Sequence, residues 1–151
     1  MALADLLQQD AVVPNLRVNS KKQLLQELAA KASKLTDIPE REIFDVILQR
    51  ERLGSTGVGN GIAIPHGRAP TLDRPRGALL RLQTPVDFGG DEPVDLVFAM
   101  AVPAHYTHQH LMLLSELAEL FSAPCIRQAL REAGDARELR QALDLTPPAS
   151  A

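Results

Sequence analysis

One cysteine, no tryptophan and a single tyrosine set the first limits on this 151-residue chain. Cys125 alone cannot form an intrachain disulfide, so nothing calls for an oxidising compartment, and it reads as a small buried hydrophobe. Aromatic residues make up only 3% of the chain, which leaves the core to Leu, Ile, Val and Ala. Positive charge is not in excess: 16 Lys and Arg against 19 Asp and Glu give a formal charge of −3. A surface that binds nucleic acid by displacing counterions needs clustered cations, so no nucleic-acid partner is expected. No run reaches the roughly 18 apolar residues that span a bilayer. Met1 to Asp10 shows no basic start followed by an apolar stretch and a cleavage signal, so the expected location is the cytoplasm, without membrane insertion.

What is present suits one domain. At this length folding buries roughly 70% of the unfolded chain's surface without metals or disulfides. Met1 to Gln8 reads as a weak amphipathic turn or two, and Ala11 to Val13 as a short apolar stretch stopped by Pro14. Ser20 with Gln23 has the spacing of a capping box, followed by a helical stripe of Leu24, Leu25, Leu28, Ala29, Ala32 and Leu35. Asp37, Pro39 and Glu40 signal a second helix, with Ile43, Phe44, Ile47 and Leu48 on its apolar face and Arg50 near its end, stopped by Gly54.

Five glycines between Gly54 and Gly67 exclude a helix and predict tight turns around a very short strand, Ile62 to Ile64. Ala78 to Thr84 and the nearly continuous apolar run Val94 to Val102 read as strands, the second buried on both faces. The turn-rich segment between them makes them neighbours. Leu111, Leu114, Leu117, Ala118 and Phe121 then predict a helix from His110. Ser122 before Pro124 predicts a capped short helix closed by Gly134, and Asp135 with Glu138 a last one ending near Asp144. Helices, three strands and helices again, with no repeat and no long linker, imply an α/β (α+β) sandwich in a single domain over 1–145, with 146–151 a frayed tail.

The chemistry gathers in Gly59-Asn60-Gly61-Ile62-Ala63-Ile64-Pro65-His66-Gly67-Arg68. His66 follows a short apolar strand between Pro65, which fixes φ, and Gly67, which has no side chain. That presents an imidazole on a rigid base with room for another protein to approach. A neutral imidazole is a good nucleophile, and the phosphoryl-nitrogen bond it can form remains easy to transfer onward. A transferred phosphoryl group needs donors such as Arg, a second His, Asn or backbone N–H groups. The chain has candidates for each.

The stretch from Arg50-Glu51-Arg52-Leu53-Gly54-Ser55-Thr56 through Ile64-Pro65-His66-Gly67, eighteen residues long, resembles the phosphorylation-site segment of the mannitol/fructose-type enzyme IIA domains of the bacterial phosphotransferase system. It is most similar to the free-standing nitrogen-regulatory members. The resemblance extends to Pro93-Val94-Asp95-Leu96-Val97-Phe98-Ala99, to Val102-Pro103-Ala104, and to His110. It implies a mixed β-sheet flanked by helices on both faces, His66 as the phosphorylated residue, and Arg50 and His110 beside it, with Asn60 and Gly67 lining the phosphate pocket. Asn60 stands where sugar-transporting relatives carry an acidic residue. The implied partners are a histidine phosphocarrier protein as donor and regulatory targets such as kinases or transport regulators, in nitrogen metabolism and potassium homeostasis. No metal or organic cofactor is implied.

Other readings of the same residues stand beside this one. His66 could be an ordinary loop histidine, and Arg52 competes with Arg50. His105, His108 and His110 lie close enough together to suggest zinc, but no Cys or carboxylate cluster accompanies them. The glycine-rich stretch lacks the Gly-Lys-Ser/Thr ending of a nucleotide loop. Arg68, Arg74, Arg76 and Arg81 form either a solvated surface or a dock for an acidic face of the donor. At the level of function the alternatives are a sugar-transport IIA component passing phosphate to a IIB partner, and an interaction module that is never phosphorylated.

Overall fold

Two long apolar strands organise everything else. β5 (Arg76–Val86) and β6 (Val94–Pro103) pair antiparallel, from Arg76 opposite Ala101 to Val86 opposite Val94, with a bulge after Arg81. The computed structural model describes residues 7–36, 38–69, 72, 75–89, 92–105 and 108–143; the tail at 146–151, Asp37 and Arg74 lie outside them. Among the described residues β1 (Leu7–Leu16), β2 (Gly57–Gly59), β3 (Ile62–Ala63) and β4 (His66–Ala69) complete a six-stranded mixed sheet. Its order is β1-β5-β6-β3-β2, and β4 extends the β3 side of β6.

Helices α1 (Lys21–Thr36) and α2 (Glu40–Arg52) pack on one face, and α3 (His108–Ser122), α4 (Pro124–Glu132) and α5 (Ala136–Ala142) on the other. Because strand side chains alternate, neighbours on one strand serve opposite cores. Leu80 and Val97 meet α1 and α2, whereas Leu79 and Phe98 meet the other three helices. All four are fully buried, as the nearly continuous apolar run Val94 to Val102 predicted for Val97 and Phe98. Truncating Leu79 or Leu80 to Ala removes packing worth about 2–5 kcal/mol. The single-domain sheet with helices on both faces is thus the architecture expected from the sequence.

Several local expectations hold. Gln23 N–H donates to Ser20 Oγ at 3.1 Å, while Gln23 Oε1 accepts from Asn19 N–H. Asp135 Oδ1 caps α5 through Glu138 N–H at 2.8 Å.

Others need correction. Residues from Leu7 onward form a ten-residue strand through Pro14 rather than a helical turn and a broken stretch. Pro14 is tolerated because β1 lies at the sheet edge, and Arg81 Nε donates to its carbonyl at 2.9 Å. Ser122 does not cap α4; its hydroxyl donates back to Glu119 C=O at 2.6 Å, and Ala123 takes the cap position. Cys125 is exposed, because Ile126 and Leu130 hold the buried face of α4. The buried face of α3 is His110, Leu113, Leu117 and Phe121, turned from the expected stripe so that Leu111 is 66% exposed.

Candidate functional site

Pro65 breaks what would otherwise be one strand. It lacks the N–H that a continuous ladder needs, so β3 ends and β4 begins around it, yet its carbonyl still accepts from Met100 N–H at 2.9 Å. His66 follows as the first residue of β4, opposite Met100. At the next position Gly67 avoids a clash: a Cβ there would lie 2.4 Å from Val46 Cγ1 on α2, so that helix would have to shift. Gly67 lets the His66 backbone press against α2 and contributes contact with that helix rather than an opening.

His66 is 8% exposed, and its two nitrogens have different partners. Nδ1 lies 2.8 Å from Ile64 C=O. A carbonyl only accepts, so Nδ1 carries the proton and Nε2 keeps its lone pair. Arg50 Nε donates toward that lone pair at 3.3 Å, and Arg50 Nη1 donates to Gly54 C=O at 3.1 Å. The end of α2 thus fixes the guanidinium from behind. Arg52, its rival in the sequence, is exposed.

His110 closes the other side. Its ring meets the His66 ring edge to face, 5.2 Å between centroids, and its Nε2 is buried with no hydrogen-bond partner. His108 and His105 are exposed, so of the three clustered histidines His110 faces the site. Burial pushes the His110 pKa down to about 4, helped by His66, Arg68 and Arg50. Burial also lowers His66, against the raising effect of its hydrogen bond to Ile64, and Arg50 lowers it further. Both imidazoles are therefore neutral near pH 7, which is the nucleophilic form.

Asn60 is not brought to the imidazole. It occupies the turn between β2 and β3 at φ 58°, and its carbonyl accepts from Arg131 Nη2, which also pairs with Asp95 at 3.0 Å. Asp95 and Met100, the partner of His66, are five residues apart on β6, about 16 Å of strand. Of the basic stretch, Arg68 is exposed beside His66. Arg81 is a clamp, donating to the carbonyls of Pro14 and Leu130 at 2.9 Å. It belongs to the frame and not to a docking face.

Sequence reasoning passed over Glu51 and Thr56, which are buried just behind the site. Lys21 Nζ pairs with Glu51 Oε2 at 2.7 Å. The signal that could have found them is an acidic residue in the last turn of a helix, where the dipole disfavours it.

Residues 5–145 match the family described as phosphoenolpyruvate-dependent sugar phosphotransferase system, EIIA 2. A nitrogen regulatory protein of Bradyrhizobium diazoefficiens is 47% identical over all of this chain and 99% of its own. One from Escherichia coli K12 is 39% identical over 93% of this chain and 88% of its own. The crystal structure of nitrogen regulatory protein IIA-Ntr from Neisseria meningitidis superposes with a TM-score of 0.90 at 36% identity, covering 95% of this chain and 99% of that one. With a matched region that spans nearly the whole sequence, the chain belongs to the EIIA 2 family of the phosphotransferase system.

Proposed function

We propose that this chain is a regulatory phosphocarrier that accepts a phosphoryl group on His66 Nε2 from a histidine phosphocarrier protein. The observation that carries the reading is the division of the imidazole's nitrogens: Nδ1–H is held by Ile64 C=O, and the lone pair of Nε2 faces Arg50. In the transfer the donor's nitrogen-phosphorus bond breaks as the bond to Nε2 forms, in line. As the phosphoryl group arrives, Arg50 turns its N–H groups from the lone pair to the oxygens, and His110 Nε2, in its protonated tautomer, donates to another. Positioning and electrostatics suffice for the step.

The rim supports a protein donor. Leu53 beside Arg50 is 84% exposed, and Leu111 and Met112 beside His110 are exposed as well. Phosphorylation would place about −1.5 to −2 charges inside this apolar rim and change what docks there. A regulatory role in nitrogen metabolism is supported by the relatives named nitrogen regulatory protein. Kinases, transport regulators, potassium homeostasis and the cytoplasmic location complete the proposal by family resemblance.

The family description names a sugar phosphotransferase system, which keeps a second reading in view, a sugar-transport IIA component that hands its phosphoryl group to a IIB partner. Transfer from the phosphorylated chain to purified sugar-specific IIB proteins would favour it. The main reading is tested by heteronuclear NMR of the ¹⁵N-labelled protein after phosphorylation by a charged histidine phosphocarrier. Phosphorus coupled to Nε2 of His66 is expected; coupling to Nδ1 would contradict the geometry.

A further inference from the structure

Glu51 is a carboxylate in a place that disfavours one. It stands in the last turn of α2, at the negative end of the helix dipole, and is only 7% exposed. Its surroundings compensate on every side. Lys21 Nζ pairs with Oε2 at 2.7 Å. Lys21 is itself fixed by Phe88 C=O at 3.1 Å and by the Phe88 ring, 4.4 Å from its centroid. Thr56 Oγ1–H donates to Glu51 Oε1, and Thr56 N–H donates to Oε2 at 3.3 Å.

From Thr56 the contacts lead along the main chain to the imidazole. Ile64 N–H donates to Thr56 C=O at 3.0 Å, and Ile64 C=O accepts from His66 Nδ1–H at 2.8 Å. Ile64 is thus gripped from its amide side, while the next carbonyl, of Pro65, is tied to Met100. Little freedom remains for the Ile64 carbonyl to swing away from the ring.

We propose that Glu51 and Thr56 are positioning residues that set the tautomer of His66 through the Ile64 backbone. With the carbonyl held in place, the proton stays on Nδ1 and the lone pair stays on Nε2, facing Arg50. Arg50 and Glu51 are consecutive residues, so one helix end places the guanidinium in front of the imidazole and the tautomer clamp behind it. An apolar pair of similar volume could fill the same space, but it would leave Thr56 N–H buried without an acceptor and the loop free to shift. The consequence for transfer rests on the reading of His66 as phosphoryl acceptor; the tautomer is a property of the unphosphorylated chain.

The test follows the His66 ring nitrogens by long-range ¹⁵N–¹H NMR at neutral pH in wild type, Thr56→Val, Thr56→Ser and Glu51→Gln. The rate of phosphoryl acceptance from a charged histidine phosphocarrier is measured in parallel. Thr56→Val keeps the shape and removes the hydroxyl; Thr56→Ser restores it. Wild type and Thr56→Ser are expected to hold the single Nδ1–H tautomer, and Thr56→Val and Glu51→Gln a mixture. Acceptance should fall roughly 10- to 100-fold in those two, the scale of a small misplacement of a reacting group. A folded Thr56→Val that keeps one tautomer and the wild-type rate would overturn the proposal. If wild type accepts no phosphoryl group while Thr56→Val still mixes tautomers, the clamp stands and the phosphocarrier reading falls.

Discussion

Arg50 Nε stands 3.3 Å from His66 Nε2, although one residue lies in the last turn of a helix and the other begins a strand on the far side of a glycine-rich loop. The guanidinium is anchored at its other end to Gly54 C=O, so its charge is preorganised where negative oxygens would arrive. Removing a preorganised donor of this kind costs about 10²- to 10³-fold in rate. Arg50→Ala should slow phosphoryl acceptance by that factor with the fold intact. Arg50→Lys should recover only part of it, because an ammonium keeps the charge and loses the planar fork. Single-turnover transfer at saturating donor checks both.

His110 makes a prediction about pH. Its folded pKa, near 4, lies below the ordinary 6.5, so the unfolded chain binds the proton more readily. Stability from this group is therefore complete above about pH 6.5 and is lost as pH falls from there toward 4, with no further loss below. His66 contributes in the same direction. Urea unfolding of wild type and His110→Leu across pH 4 to 7 should show a shallower decline in the variant. Equal slopes would mean that His110 titrates normally in the folded chain.

Gly67 is required by packing. A methyl group there would meet Val46 Cγ1 at 2.4 Å, and overpacking of this kind costs about 1–3 kcal/mol. Gly67→Ala should lower the denaturation midpoint, and Val46→Ala in the same chain should recover part of the loss. Additive losses in the double variant would rule out the contact as the cause.

Asn60 gives the opposite expectation. About 16 Å of strand separates its turn from His66, beyond the ~8–10 Å screening length at physiological salt. Asn60→Asp should change phosphoryl acceptance less than about twofold, since a screened charge at that distance contributes little. A larger effect, measured in the same transfer assay, would place the residue functionally in the pocket.

These residues also show what could be read from the sequence and what could not. The two long strands and the first two helices were legible because apolar-rich runs bounded by turn residues and a helical period each report burial directly. β1 was hidden by Pro14, whose position at a sheet edge depends on partners 67 residues away, such as Arg81. β2 and β4 are too short and too rich in glycine to carry a period. The eighteen-residue match located His66 and Arg50. His110 was harder to choose among three histidines, although its spacing to Leu113, Leu117 and Phe121 places it on the buried face of α3. Asn60 was misplaced because six residues of chain look short until a strand extends them. For Glu51 and Thr56 the local sign was slight, an acid in the last turn of a helix, and the lysine that neutralises it lies thirty residues earlier.

The most direct measurement is intact-mass analysis at neutral pH after incubation with phosphoenolpyruvate, enzyme I and a histidine phosphocarrier, comparing wild type with His66→Ala. An acid-labile gain of one phosphoryl group in wild type alone is the expected result. No gain in wild type from a donor shown to be charged, or an equal gain in His66→Ala, would contradict phosphoryl acceptance at His66.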